Sequence, residues 1–377
     1  MDILKGVSSA IAAKLPLPVR SQFQKRNKDD ADTIDLRDIA QVQELRLLAT
    51  GSYNSVWLVE LYESLEITQP TDANSLSVNQ FILRFPFEDA LLPDQITNEV
   101  AFKRFVATKL PHIPVPQVYL YNATSQPDTS YIVEEYIDCP PLNSTWMSLT
   151  PSQKGKVAQK LATILVDLTE IQFDLIGGLN PTDLSSAPTV EGCKIFKGRG
   201  KFHRNECYPI GPYQTTKEYI LSCYDREIYY YNHATEDIDA DLFGDVPVQA
   251  FVENLKRERR SFVEADIVDE PFVLVHGDFH GRNILARGDQ ITAVLDWEFA
   301  GSYPLSETLA GSDFHVVEAT NKELGEENTV WGNKIRHFIQ HEVTKRGWDR
   351  SRIGLLMGGG GMDLAQARVE MLPWSCY

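Results

Sequence analysis

The chain has 377 residues, 43% of them hydrophobic, and a formal net charge of −17. This hydrophobic fraction is enough for a substantial core, in one large domain or two smaller ones. No uncharged apolar run approaches the ~18 residues that a membrane span requires, and the acidic balance argues against nucleic-acid binding, which needs a basic surface. The five cysteines are odd in number and include no Cys-x-x-Cys pair, which predicts reduced intracellular thiols without a disulfide framework or zinc site.

The first 26 residues differ from the rest of the chain, because they carry five basic side chains against one acid. Residues 1–35 are therefore predicted to form a separate N-terminal extension. Two interpretations stay open for it: a helix that lies on the following domain of a cytoplasmic protein, or a mitochondrial presequence.

Residues 45–59 predict a strand, a tight loop and a second strand, because apolar and β-branched side chains flank a short polar segment. The loop consists of Gly51, Ser52, Tyr53, Asn54 and Ser55. Since it holds one glycine, this loop taken alone is typical of an ordinary hairpin turn.

Residues 81–86 predict a third strand that carries Arg84, and residues 95–102 predict an amphipathic helix that carries Glu99. Each of these charges, taken alone, is compatible with a solvated position on the surface of its element.

Two further strands are predicted at residues 113–118 and 131–137, and the second contains Glu135, Tyr136 and Ile137. Two consecutive prolines follow, and they make a rigid stretch that disfavours helix. We therefore place a boundary near residue 138. It separates a small β-rich unit at 36–138 from a larger unit at 139–377.

The pattern turns helical from residue 151, where apolar residues recur at helical spacing. These residues are Val157, Leu161, Ile164, Leu165 and Leu168. Residues 180–212 are rich in Pro, Gly and Ser and predict a long loop. Residues 219–231 contain five tyrosines, and further helices are predicted at 334–345 and 363–372.

The most informative feature is an acid, an amide and a second acid that a predicted hairpin would bring together. Two apolar, β-prone runs at residues 284–286 and 291–295 flank turn-forming residues, which predicts the hairpin. It would return Asp296 to Asn283 and to the preceding loop, which carries Asp278. Two oxygen ligands and a separate carboxylate are what magnesium-dependent phosphoryl transfer needs, because the metal binds oxygen and the free carboxylate orients the attacking hydroxyl.

The run from His276 to Leu285, together with the run from Leu295 to Gly301, resembles the aminoglycoside phosphotransferase and choline kinase superfamily. The likeness is closest to the fungal and bacterial branch of aminoglycoside-phosphotransferase-domain proteins. This resemblance implies an α+β, protein-kinase-like fold with a small β-rich N-terminal lobe and a larger, mainly helical C-terminal lobe. It also implies transfer of the γ-phosphate of ATP, with Mg²⁺, to a hydroxyl of a small molecule.

Matched position by position, the resemblance implies that Asp278 is the catalytic base and that Asn283 and Asp296 are magnesium ligands. His276 matches the histidine that braces the catalytic loop, and a packed core histidine is the alternative. His280 also fits the family pattern, without an assigned chemistry.

In the small lobe, the resemblance implies nucleotide binding. The loop at residues 51–55 would lie over the phosphates, and the backbone at 135–137 would hydrogen-bond the adenine. Arg84 stands where kinases carry a phosphate-binding lysine, and Glu99 matches the acid that pairs with that basic residue. Arginine departs from the family pattern, but it offers phosphate a permanent charge and a bidentate fork.

Two other functions are alternatives to a small-molecule kinase. A protein kinase is disfavoured, because His-Gly-Asp replaces His-Arg-Asp, Asp-Trp-Glu replaces Asp-Phe-Gly, and no Ala-Pro-Glu segment follows. A catalytically silent binding or scaffold protein is favoured by the single-glycine loop and by Arg84, and is disfavoured by the intact acid, amide and acid. The acceptor is left open, since family membership does not fix the substrate.

Overall fold

The computed structural model describes most of the chain beyond residue 41. The described residues are 42–51, 53–68, 75–88, 90–179, 186–187, 200–234, 238, 243, 246–309, 314–358 and 364–371. The predicted extension at 1–35, Ser52 and much of the predicted loop at 180–212 lie outside the described residues.

The small lobe is a five-stranded antiparallel sheet with strand order β1-β2-β3-β5-β4. The strands are β1 (Val42–Thr50), β2 (Asn54–Thr68), β3 (Ser75–Pro86), β4 (Val118–Asn122) and β5 (Tyr131–Glu135). Helix α1 (Asp94–Lys109) packs on one face.

The strand predicted at residues 113–118 is wrong except for its last residue, since β4 begins at Val118. Prolines cannot donate to a sheet ladder, and Pro114 and Pro116 precede that point. The carbonyl of Pro114 instead accepts a hydrogen bond from the backbone N–H of Val294, at 2.8 Å, in the large lobe.

Successive side chains of strand β3 point to opposite faces of the sheet, as in any extended chain. Phe81, Leu83 and Phe85 enter the apolar core on one face of the sheet, with Trp57 and other side chains. Arg84 therefore points to the opposite face, where α1 carries Glu99. The alternation of β3 thus decides that this arginine is buried.

The large lobe is built from seven helices and seven short strands among the described residues. The helices are α2 (Leu142–Thr145), α3 (Pro151–Thr169), α4 (Thr216–His233), α5 (Val248–Glu264), α6 (Lys322–Lys345), α7 (Arg350–Met357) and α8 (Leu364–Glu370). The strands are β6 (Gln172–Phe173), β7 (Gly178–Leu179), β8 (Ser186–Ala187), β9 (Phe272–Val275), β10 (Ile284–Arg287), β11 (Gln290–Val294) and β12 (Gly301–Pro304).

Helix α3 forms the centre of this lobe. A capping box at Thr150 and Gln153 starts it, and its predicted apolar stripe is buried along its whole length. The same core contains Trp146 and Trp297, both fully buried. With a sheet-based small lobe and a helical large lobe, the predicted α+β fold class is confirmed. No helix of the described part is long and apolar enough to cross a membrane.

The predicted hairpin is present as β10 and β11. Ile284 pairs with Val294, and Gly288 turns the chain with a φ of 61°. Just beyond the paired strands, the backbone N–H of Leu295 donates to the carbonyl of Asn283 at 2.8 Å. The end of the second strand therefore returns to the start of the first.

A short segment, residues 314–318, crosses the loop before this hairpin and is anchored by a buried asparagine. The Asn328 side chain on α6 accepts from the backbone N–H groups of Val316 and Val317, at 2.9 and 3.0 Å, and donates to the carbonyl of Val317 at 2.9 Å. One side chain thus satisfies three backbone groups that would otherwise be buried without partners.

We predict that Asn328→Ala lowers the free energy of unfolding by about 3 kcal/mol, because it leaves buried backbone N–H groups unsatisfied. Chemical denaturation of wild type and variant measures the change. Asn333→Ala, at an exposed position on the same helix, is the matched control and should change stability little. Equal stabilities of the two variants would contradict the anchoring role.

Candidate active site

The catalytic loop, residues 276–283, joins β9 to β10 and packs tightly at two glycines. Gly277 has a φ of 84°, and a Cβ there would collide with the backbone oxygen of Phe299. A Cβ at Gly281 would collide with the backbone oxygen of Val316. Because only glycine permits these approaches, the loop is held directly against the backbone of two other segments.

His276 lies under this loop and is 1% exposed. Its Nε2 donates to the carbonyl of Leu295 at 2.9 Å, and its Nδ1 accepts from the backbone N–H of Asp278 at 3.3 Å. Burial lowers the pKa of His276 to about 4, although the Asp278 carboxylate opposes this. The ring is therefore neutral at pH 7 and connects the loop to the hairpin, which is the bracing position that the resemblance implied.

The carboxylate of Asp278 is contacted by three side chains. Nη2 of Arg282 lies 2.8 Å from Oδ1 and 2.9 Å from Oδ2, Nε2 of His280 lies 3.2 Å from Oδ1, and Nδ2 of Asn283 lies 2.7 Å from Oδ2. Burial raises the pKa of Asp278, but the hydrogen bond from His280 and the charge of Arg282 outweigh it and hold the pKa well below its ordinary value. This acid is therefore ionised and able to accept a proton.

Asn283 is buried beside Asp278. Its Nδ2 also donates to the carbonyl of Asp278, at 2.9 Å. With the amide nitrogen turned to Asp278, the amide oxygen is the atom left to bind a cation.

Asp296 follows β11 in the left-handed backbone region, at φ 63°, and is the one non-glycine residue of the described chain with positive φ. This conformation costs roughly 1–2 kcal/mol in an L-residue, and such strain clusters at functional sites. The side chain is 29% exposed, and its Oδ1 accepts from Nη2 of Arg84 at 3.0 Å. Burial raises the pKa of Asp296; Arg84 opposes the rise, and the Glu99 and Asp278 carboxylates add to it.

Arg84, Glu99, Lys103 and Glu134 form a buried charge network that connects β3, α1 and β5. Arg84 bonds Glu99 and lies 4.0 Å from Glu134. Lys103, one helical turn beyond Glu99, lies 2.6 Å from its carboxylate and also bonds Glu134. Although burial opposes it, the surrounding carboxylates hold the pKa values of Arg84 and Lys103 above their ordinary values. Both cations therefore stay charged.

Glu298 connects this network to the loop between β1 and β2. Its Oε2 accepts from Nδ2 of Asn54 at 2.6 Å and from Nε2 of Gln95 at 2.7 Å, and it lies 3.8 Å from Nη2 of Arg84. Burial and the nearby Asp296 carboxylate raise the pKa of Glu298 well above its ordinary value. The large lobe thus holds one residue of the predicted nucleotide loop.

The other described residues of that loop, Gly51, Tyr53 and Ser55, lie in or beside a tight turn close to the hairpin. Gly51 donates its N–H to the carbonyl of Asn54 at 2.8 Å. The ring of Tyr53 meets Phe299 edge-on, with centroids 5.6 Å apart. Ser55 is buried and accepts from the indole of Trp57 at 3.1 Å, which is a structural position.

The predicted hinge passes along strand β10. Glu135 ends β5 and donates its N–H to the carbonyl of Gln117 at 2.9 Å. Tyr136 and Ile137 follow, and the chain is then held by Arg287, which donates to the carbonyl of Asp138 at 2.7 Å. The segment that would receive an adenine is therefore tied to both lobes.

The structure thus brings Asp278, Asn283 and Asp296 to one end of the hairpin, and Arg84 with Glu99 beside them. Sequence reasoning missed four charged residues of this site: Lys103, Glu134, Arg282 and Glu298. Two signals were present in the sequence. Lys103 follows Glu99 by four residues on a helix, and such pairs share a helix face. Arg282 follows Asp278 by four residues, but the direction in which its side chain points depends on the loop conformation.

We predict that the low pKa of His276 makes folding sensitive to acid. The unfolded chain takes up this proton near pH 6.5 and the folded chain only near pH 4, so wild type loses stability as the pH falls through that range, by about 3 kcal/mol. His276→Gln should be less stable at pH 8, and its deficit should shrink towards pH 4. Unfolding free energies measured across this range test the prediction.

The matched control is His337→Gln, at an exposed position on α6, which should follow the wild-type pH dependence. A constant deficit for His276→Gln across the range would contradict a neutral buried imidazole.

Comparison with known proteins places this site in a family. The model of the phosphotransferase enzyme family, APH, matches residues 44–312, well over half of the chain. No curated protein matches.

Several solved structures are similar at low identity. Aminoglycoside phosphotransferase APH(2'')-Ib, ADP-bound, is 15% identical over 95% of this chain and 97% of that one, with a TM-score of 0.46. The apo form of a thermostable mutant of aminoglycoside phosphotransferase APH(4)-Ia is 17% identical over 89% of this chain and 95% of that one, also with a TM-score of 0.46. The family match confirms the resemblance seen in the sequence: the chain belongs to the phosphotransferase enzyme family.

Proposed function

We propose that the protein transfers the γ-phosphate of ATP to a hydroxyl group of a small molecule in a magnesium-dependent reaction. The observation that carries this proposal is the convergence of Asp278, Asn283 and Asp296 at one end of the β10–β11 hairpin, beside the buried Arg84. The arrangement supplies an ionised base, two oxygen donors and a fixed cation, which are the parts that phosphoryl transfer needs.

The donor set fits a magnesium ion. Asp296 offers a partly exposed carboxylate, and Asn283 has its amide oxygen free to coordinate. The ionised Asp278 carboxylate adds negative charge close by, so a divalent cation would be electrostatically favoured. Magnesium usually binds through one or two carboxylates together with substrate phosphates, so Asp296 and Asn283 would need the phosphates of the nucleotide as further ligands. When bound, the ion would neutralise charge on the transferred group.

The small lobe supplies the positions for the nucleotide. The loop at Gly51, whose own N–H is bonded to the Asn54 carbonyl, would cover the phosphates, and Arg84, held by Glu99 and Asp296, would face them. An arginine fixed by two carboxylates presents its charge without the entropy loss of ordering a free side chain. Tyr136 and Ile137 lie in the segment whose backbone would hydrogen-bond the adenine, and the Ile137 carbonyl also accepts from the N–H of Cys139 at 2.8 Å.

Asp278 is the base in this proposal. The acceptor hydroxyl would donate its proton to the Asp278 carboxylate while its oxygen attacks the γ-phosphorus. His276 keeps the carboxylate in place through the backbone N–H of Asp278. The position of the hydroxyl therefore depends on the catalytic loop, which His276 holds in place.

We predict that Asp278→Asn lowers phosphotransfer by about 10²–10⁴-fold, the range for a positioned base, while ATP binding is kept. ADP release from a panel of hydroxyl-bearing metabolites measures transfer, and calorimetry measures ATP binding. Asp266→Asn, at an exposed position, is the control and should act like wild type. If wild type transfers phosphate and Asp278→Asn transfers it equally fast, Asp278 is not the base.

For the metal, we predict that magnesium tightens ATP binding far less in Asp296→Asn than in wild type, because this change removes the negative charge of the ligand and leaves only a neutral amide oxygen. Asn283→Ala should weaken the magnesium effect less. Calorimetric titrations of ATP with and without magnesium measure it, independently of turnover.

Asp289→Asn is the control for the metal, because Asp289 lies in the turn at the far end of the same hairpin and pairs with Lys156. A magnesium effect of wild-type size in Asp296→Asn would exclude this residue as a ligand.

A further inference from the structure

The oxygens of the Asp278 carboxylate are occupied by protein donors in this structure. A carboxylate offers about four lone-pair positions. Oδ1 faces Nε2 of His280 and Nη2 of Arg282, and Oδ2 faces Nη2 of Arg282 and Nδ2 of Asn283. An acceptor hydroxyl can reach this base only if one of the three donors leaves.

The three donors differ in how firmly they are held. Asn283 is buried and also bonds the Asp278 carbonyl. His280 is 21% exposed, and its ring lies against His315 with centroids 5.6 Å apart. The Arg282 side chain is 47% exposed and has one other charged neighbour, at 3.9 Å. Arg282 is therefore the donor that moves at least cost.

That neighbour is Glu318, whose Oε1 lies 3.9 Å from Nη1 of Arg282. Glu318 is the last residue of the segment 314–318, which Asn328 anchors over the catalytic loop. Its side chain is 60% exposed and can adjust to a moving partner. The guanidinium can thus exchange one carboxylate for another by a small rotation, without being left unpaired.

We infer that Arg282 is a gate on the base: it occupies Asp278 until an acceptor arrives, and then moves to Glu318. This inference rests on the proposed function. In the open state the acceptor hydroxyl gives its proton to Asp278, its oxygen bonds the γ-phosphorus, and the bond from that phosphorus to the bridging oxygen breaks. ADP leaves with the electron pair.

The gate has a consequence for water. Without an acceptor, Arg282 shields Asp278, so a water molecule in the cleft meets no free base. ATP is then protected from the side reaction in which water replaces the acceptor, a reaction that active sites suppress by keeping water out. Removal of the gate should release that reaction.

The test is ATP hydrolysis by the full-length protein with ATP and magnesium alone. Arg282→Gln should raise the rate about tenfold or more, a part of the ~10²–10⁴-fold that a free, positioned base supplies. The hydrolysis rate of Arg282→Lys should lie between those of wild type and Arg282→Gln, because one ammonium covers the carboxylate less completely than a guanidinium. Arg257→Gln, which removes an exposed arginine paired with a carboxylate, should leave the rate unchanged.

Two further variants separate gating from a general loosening of the loop. Combining Asp278→Asn with Arg282→Gln should abolish the gain, because the released base is then absent. Glu318→Gln should lower the hydrolysis rate severalfold below wild type, because it removes the position to which Arg282 opens. Glu326→Gln, which breaks an exposed ion pair with Lys322, is its control.

The outcomes distinguish the gate from the proposed function. If Arg282→Gln binds ATP and hydrolyses it no faster than wild type, the gate is overturned. The proposed function would still be supported if wild type phosphorylates an acceptor and Asp278→Asn does not. A gain that persists in the double variant overturns the gate as well. If no variant transfers phosphate to any acceptor or to water, the proposed function fails and the gate fails with it.

Discussion

The buried contact between Arg84 and Glu99 is the interaction on which the rest of the site depends. It joins strand β3 to helix α1, and Asp296 extends it to the large lobe. Burying charges is costly unless each one is paired, and Lys103 and Glu134 complete the pairing. Since a misplaced strand or helix would leave a charge unpaired in the interior, this network fixes how the two lobes meet.

In the large lobe, the site is held in place by close packing against backbone instead of by charge pairs. Gly277 and Gly281 let the catalytic loop touch neighbouring backbone, and His276 ties the loop to Leu295. The fully buried Trp297 holds the turn after Asp296. The strained backbone of Asp296 is therefore held by its neighbours, and these contacts position the polar groups of the site.

The state of Asp278 reflects a conflict between stability and access. An ionised carboxylate that is largely buried needs donors, and Arg282 supplies two of its contacts. A base that is to accept a proton from a substrate must give one of these contacts up. Because Arg282 is half-exposed and Glu318 stands next to it, the same residue can satisfy both needs at different times.

The sequence by itself determined the hairpin and the convergence of Asp278, Asn283 and Asp296, because turn chemistry and strand periodicity act over short distances. The α+β fold class was implied by the family resemblance. That resemblance also predicted the pairing of Arg84 with Glu99. Only the tertiary structure decided that Lys103 and Glu134 join that pair, that Glu298 holds Asn54, and that Arg282 covers Asp278. These contacts join residues up to 244 positions apart or depend on loop rotamers, and no local pattern encodes either.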